Sequence, residues 1–141
     1  MPDTRLGGMS ESADAASPPR LTLAGIVLDS PSAQELSAFY RRLLGWDIES
    51  DEPDWVKLRS PMGGPGLSFQ TEENYRRPVW PAGPDDVQMQ VHLDIRVHDL
   101  EEAGRHAVAA GAVQADFQPQ DDVRVFLDPA GHPFCLFLPE D

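Results

Sequence analysis

Apolar residues along this chain alternate with polar ones in short stretches, and twice the spacing switches to that of a helix. In 21–28, Ile26 and Leu28 fall on one strand face and Gly25, Val27 and Asp29 on the other. Ser32-Ala-Gln-Glu35 then has capping-box spacing, and Leu36, Phe39, Tyr40, Leu43 and Leu44 form a helical stripe that Gly45 ends. A second strand starts at Trp46-Asp47-Ile48. Residues 54–59 alternate again, with Val56 and Leu58 against Trp55, Lys57 and Arg59. The Gly- and Pro-rich 60–66 is a turn, and 67–70 closes the half as a strand, Leu67 and Phe69 inward, Ser68 and Gln70 on the opposite face.

The pattern then repeats. In 91–97, Leu93, Ile95 and Val97 oppose a row of His92, Asp94 and Arg96. Asp99-Leu-Glu-Glu102 is a second capping box, and Leu100, Ala103, Ala107 and Ala110 form the second stripe, stopped by Gly111. Strands at 123–127 and 134–138 flank the turn Asp128-Pro-Ala-Gly-His-Pro133. The two helix stops, and the two Pro-x-Gly turns, recur at a period of about 67 residues, so the chain carries two copies of one unit. Each unit is a strand, a helix and three strands, and neither buries both faces of its sheet alone. The expected class is α+β: two tandem βαβββ modules forming a curved mixed sheet around a cup, helices outside. Module one spans 21–70, a Pro-rich connector 71–89 and module two 90–139, all one domain, with the Gly-, Ser- and Ala-rich 1–20 as a disordered tail.

Composition narrows the partners. A formal net charge of −13 argues against nucleic acid, whose phosphates call for a basic face, and favours a cationic ligand if steering matters. The longest apolar run, 134–138, is too short to span a bilayer, so no membrane partner is expected. One cysteine forbids an internal disulfide, and 1–20 lacks the basic start and apolar centre of an export signal, so the expected compartment is the cytoplasm.

The segments Ser37-Ala-Phe-Tyr-Arg-Arg-Leu-Leu-Gly-Trp46, His92-Leu-Asp-Ile-Arg-Val-His-Asp-Leu100 and Asp128-Pro-Ala-Gly-His-Pro-Phe-Cys-Leu136 resemble the vicinal oxygen chelate superfamily over about 21–139. That superfamily includes glyoxalase I, extradiol dioxygenases and bleomycin resistance proteins, and the closest resemblance is to its small glyoxalase-like subgroup. The resemblance implies two metal ligands from each module, on the first and last strands of each unit. Those positions fall on Gly25 and near Gln70 in module one, and on His92 and Cys135 in module two. A hard ion wants carboxylates and finds none there, although Asp94, two residues after His92, can substitute. The metal site is therefore expected to be degenerate, with no cofactor, a divalent ion through His92 being the alternative.

The expected function is binding of a small apolar or aromatic molecule in the cup, with Gln70, Ser68, Trp80, Trp55, Cys135 and Arg96 as ligand-binding residues. One alternative is a lyase, isomerase or metal-dependent enzyme with His92 as base or metal ligand and Asp94 or Gln70 as orienting partner; another is sequestration of a cationic antibiotic. A reactive role for Cys135 is weighed against inert packing, and His132 is expected to serve its turn. A homodimer is also expected, since proteins of this fold often pair.

Overall fold

The computed structural model describes residues 18–139, so most of the expected tail lies outside the described residues. Module one runs β1 (Gly25–Ser30), α1 (Ala33–Leu44), β2 (Asp47–Glu52), β3 (Trp55–Arg59) and β4 (Gly66–Thr71). Module two repeats it as β5 (Leu93–Arg96), α2 (Leu100–Ala110), β6 (Val113–Gln114), β7 (Val123–Leu127) and β8 (Pro133–Phe137). Both capping boxes close. The Ser32 hydroxyl accepts from the Glu35 N–H at 3.1 Å, and the Asp99 carboxylate accepts from the Glu102 N–H at 3.0 Å. Gly45 ends α1 in the left-handed conformation, φ 73°, which a side chain would strain.

Each module folds its strands into one mixed sheet, in the orders β1-β4-β3-β2 and β5-β8-β7-β6, with the first and last strands of each unit parallel neighbours. The fold is thus the expected α+β pair of modules. The sheets are two four-stranded sheets, and a shared core joins the halves. Phe69 stacks on Tyr40 of α1 at 5.5 Å, Phe39 of α1 meets Phe134 of β8 at 6.0 Å, and Phe126 stacks on Phe134 at 5.8 Å. Leu28, Leu36, Val56, Leu58, Ala107 and Leu136 complete a single buried cluster drawn from both modules.

The helices seal the seam. Arg42 Nε donates to the Ala110 carbonyl at 2.9 Å, and His106 Nε2 meets the Leu43 carbonyl at 3.0 Å, so that nitrogen carries its proton. Because the helices cover the Phe69 and Phe134 faces, strand alternation turns Gly25, Val27 and Asp29, and likewise Asp94, Arg96 and Cys135, the other way.

One strand is shorter than its pattern. The alternation over 91–97 predicts a longer β5, but pairing begins at Leu93, opposite Phe134. His92 would face Pro133, which has no N–H to extend the ladder.

Candidate functional site

Asp94 and Cys135 are register partners on the parallel pair β5–β8, so their side chains leave the sheet side by side. His92 precedes Asp94 by two residues and joins them. One ligand atom from each of the three lies within 4.8 Å of the others. His92 Nε2 stands 3.4 Å from Asp94 Oδ1, with both side chains substantially solvated. Cys135 is half-buried; burial pushes its thiol up first, and the Asp94 charge adds to it, so the group is a protonated thiol at neutral pH. Arg96, one step along the row, lays its guanidinium 6.0 Å above the Phe137 ring.

Module one presents a different face. Gln70 Nε2 donates to Asp29 Oδ1 at 3.2 Å, and Trp55 is the register partner of Gln70. Ser68 is 3% exposed between Val27 and Lys57, which leaves it little access to any ligand. Gly25 offers no side chain, although a Cβ there would meet only ordinary contacts, the Gly66 carbonyl at 3.4 Å and Ser68 Oγ at 4.0 Å. Among the described residues no hydrogen bond or ion pair joins Gln70, Ser68 or Trp55 to His92, Asp94 or Cys135. The four-ligand, carboxylate-rich site implied by the superfamily does not fit these residues: module one supplies a bare glycine and an amide already engaged by Asp29.

The connector docks on module two. Tyr75 Oη donates to the Ala130 carbonyl at 2.8 Å and Arg77 Nη1 to the Pro129 carbonyl at 2.9 Å. Arg77 is thereby committed to the 128–132 turn. These anchors precede Trp80, whose ring lies 5.7 Å from that of Phe117 at an interplanar angle of 41°. Phe117 is 52% exposed and was not singled out from the sequence; its only signal is one aromatic among polar neighbours. Gln118 holds this loop to β7, its amide bonding both the N–H and the carbonyl of Val125.

A buried polar network also went unread. Asp128, 1% exposed, accepts from Tyr40 Oη at 2.8 Å and from the Ala130 and His132 N–H groups at 2.9 and 3.0 Å, and its Oδ2 faces His132 Nδ1 at 2.8 Å. His132 is therefore structural, as its turn suggested. A groove of about 480 Å³ lies on the helix side of module two, lined by Leu100, Gly104, Val108, Gln114, Arg124 and Phe126. By strand parity it is on the face opposite Asp94 and Cys135.

Two tandem βαβββ modules with parallel first and last strands define the vicinal oxygen chelate fold. The chain belongs to the glyoxalase-like domain family, which matches residues 25–137. A glyoxalase/bleomycin resistance protein/dioxygenase family enzyme from Burkholderia phytofirmans PsJN superposes with a TM-score of 0.65 at 18% identity, covering 84% of this chain and 98% of the other. A glyoxalase-related enzyme from Fulvimarina pelagi gives 0.62 at 19% identity, covering 84% and 88%. An antibiotic-binding protein from Streptomyces sp. CB03234 gives 0.53 at 17% identity, covering 86% and 97%. Among curated proteins none matches the chain in sequence. No helix of the described residues is long and apolar enough to cross a membrane.

Proposed function

We propose that this protein binds a small, largely apolar aromatic molecule, with Trp80 and Phe117 as its stacking surface. The observation that carries the reading is the Trp80–Phe117 contact at 5.7 Å, between a connector anchored at Tyr75 and Arg77 and the loop that precedes β7, which leaves half of Phe117 in water. Two rings at that spacing offer a planar ligand both a face and an edge. The Streptomyces neighbour supports a binding role for this fold, and sequestration of an antibiotic is one form of it.

Calorimetric titration with a panel of small aromatics tests the proposal. Trp80→Ala and Phe117→Ala should each weaken binding about three- to tenfold, the scale of one aromatic contact. No binder in the panel, or binding unchanged in both variants, would refute it.

A second reading has His92 as general base oriented by Asp94, favoured by their 3.4 Å approach. It requires turnover that His92→Ala abolishes while ligand binding survives. A second copy of the chain is proposed as a partner through edge strand β1 and the segment just before it, where Val27 on the strand is 46% exposed and Leu21 and Leu23 ahead of it are 81% and 69% exposed. Sedimentation should show a dimer that Val27→Asp dissociates.

A further inference from the structure

We propose that the groove between α2 and the β6–β7 side of module two binds a small amphipathic monoanion, a monocarboxylate with an apolar body whose charge is held by Arg124. This is a second site, on the helix side of the sheet, and it does not depend on the aromatic-ligand reading.

The internal repeat shows what is unusual here. Val56 pairs with Phe69 in module one, and Arg124 pairs with Leu136 one period later in module two. Leu58 and Phe126 correspond in the same way, through Leu67 and Phe134. Val56 and Leu58 are buried in the core with α1, at 1% and 0% exposure. Phe126 keeps that apolar role, but the position of Val56 has become an arginine. A charge on the helix-facing side of a strand is costly to cover unless something pairs with it. Arg124 is half-buried there, and its Nη1 donates to the Asp121 carbonyl at 2.7 Å and to the Val123 carbonyl at 3.1 Å. Those two bonds hold the guanidinium in place and leave its Nε–Nη2 edge without an acceptor among the described residues. No carboxylate of the described residues forms an ion pair with it.

The helix leaves room beside that edge. α1 buries Leu36, Phe39 and Tyr40, whereas α2 buries only Ala107 and Ala110. The result is the groove of about 480 Å³, within the range of about 300–1,000 Å³ usual for small-molecule sites. Leu100, Val108 and Phe126 give it apolar walls, and Arg105 adds a second cation. Glu101 also lines it, one turn before Arg105.

This mixture selects the ligand. An apolar body suits the walls, and one carboxylate matches the paired N–H groups on the open edge of Arg124. Glu101 repels a second negative charge, and a chain of net charge −13 disfavours polyanions such as nucleotides.

The test is calorimetric titration of the full chain with octanoate, octanol and acetate, which separate the charged head from the apolar body. Octanoate should bind at one equivalent, and the other two about tenfold or more weakly. Arg124→Gln should bring octanoate down to the affinity of octanol. Val108→Trp, at a helix position 53% exposed, should block the groove and remove octanoate binding while circular dichroism stays unaltered. Trp80→Ala should leave octanoate binding unchanged, which separates this site from the stacking pair. No saturable binding of octanoate, octanol binding as tightly as octanoate, affinity unchanged in folded Arg124→Gln, or binding lost in Trp80→Ala would each overturn the assignment.

Discussion

Asp128 shows how much one side chain can organise. Its carboxylate is out of water, yet Tyr40, two backbone N–H groups and His132 meet it, so the cost of burying the charge is offset by hydrogen bonds. Asp128→Ala would strand those donors, and equilibrium denaturation should show a loss of about 3 kcal/mol or more. The two tyrosines of the network give a pH signature. Burial, then the Asp128 charge, pushes Tyr75 up to about 12 and Tyr40 well above its ordinary value. An unfolded tyrosine ionises near pH 10, so this contribution is complete below about pH 10 and is lost as pH rises through about 12. Denaturation midpoints should fall across that window, and fall less steeply in Tyr75→Phe. Cys135 follows the same logic: its raised thiol should alkylate more slowly than a free cysteine at pH 8, and Asp94→Asn should speed it by removing a charge that opposes thiolate formation. None of this network is legible in sequence, because Tyr40 and Asp128 lie 88 residues apart and Tyr75 and His132 lie 57 apart. Proximity across that separation is created only by the joined modules.

Elements, by contrast, are set by local chemistry. Each helix begins at the residue whose side chain can accept from a free N–H of the first turn, and each ends at a glycine. Ser32→Ala and Asp99→Ala should therefore each lower stability by about 1 kcal/mol. Strand alternation sorted core from outer face correctly in β1, β3, β4 and β5, since a one-residue slip would turn Leu28 or Phe69 into water. What it could not supply was where pairing begins: β5 starts late, at Leu93, because of Pro133 on another strand. Glycine placement is a similar case. A Cβ at Gly66 would strike the Leu58 carbonyl, whereas one at Gly25 meets only ordinary contacts. Gly66→Ala should cost about 1–3 kcal/mol and Gly25→Ala well under half of that, which thermal melts of the two variants would compare.

At the scale of the molecule, the internal period of about 67 residues already implied two equivalent units, because each hydrophobic face needs a partner of its own kind. By itself the sequence determined the helices, their caps, the face each strand buries, the duplication and the family, since all of these depend on residue types at fixed local spacing. It also marked His92, Asp94 and Cys135 as chemically able residues. Only the tertiary structure decided that these three meet, that Gln70 turns to Asp29, that Arg77 is committed to the 128–132 turn, and that Trp80 finds Phe117. Each of those outcomes depends on strand register or on the path of a connector with no helix or strand of its own. Register and loop path are fixed by the sum of many distant contacts, which no local pattern of residues contains.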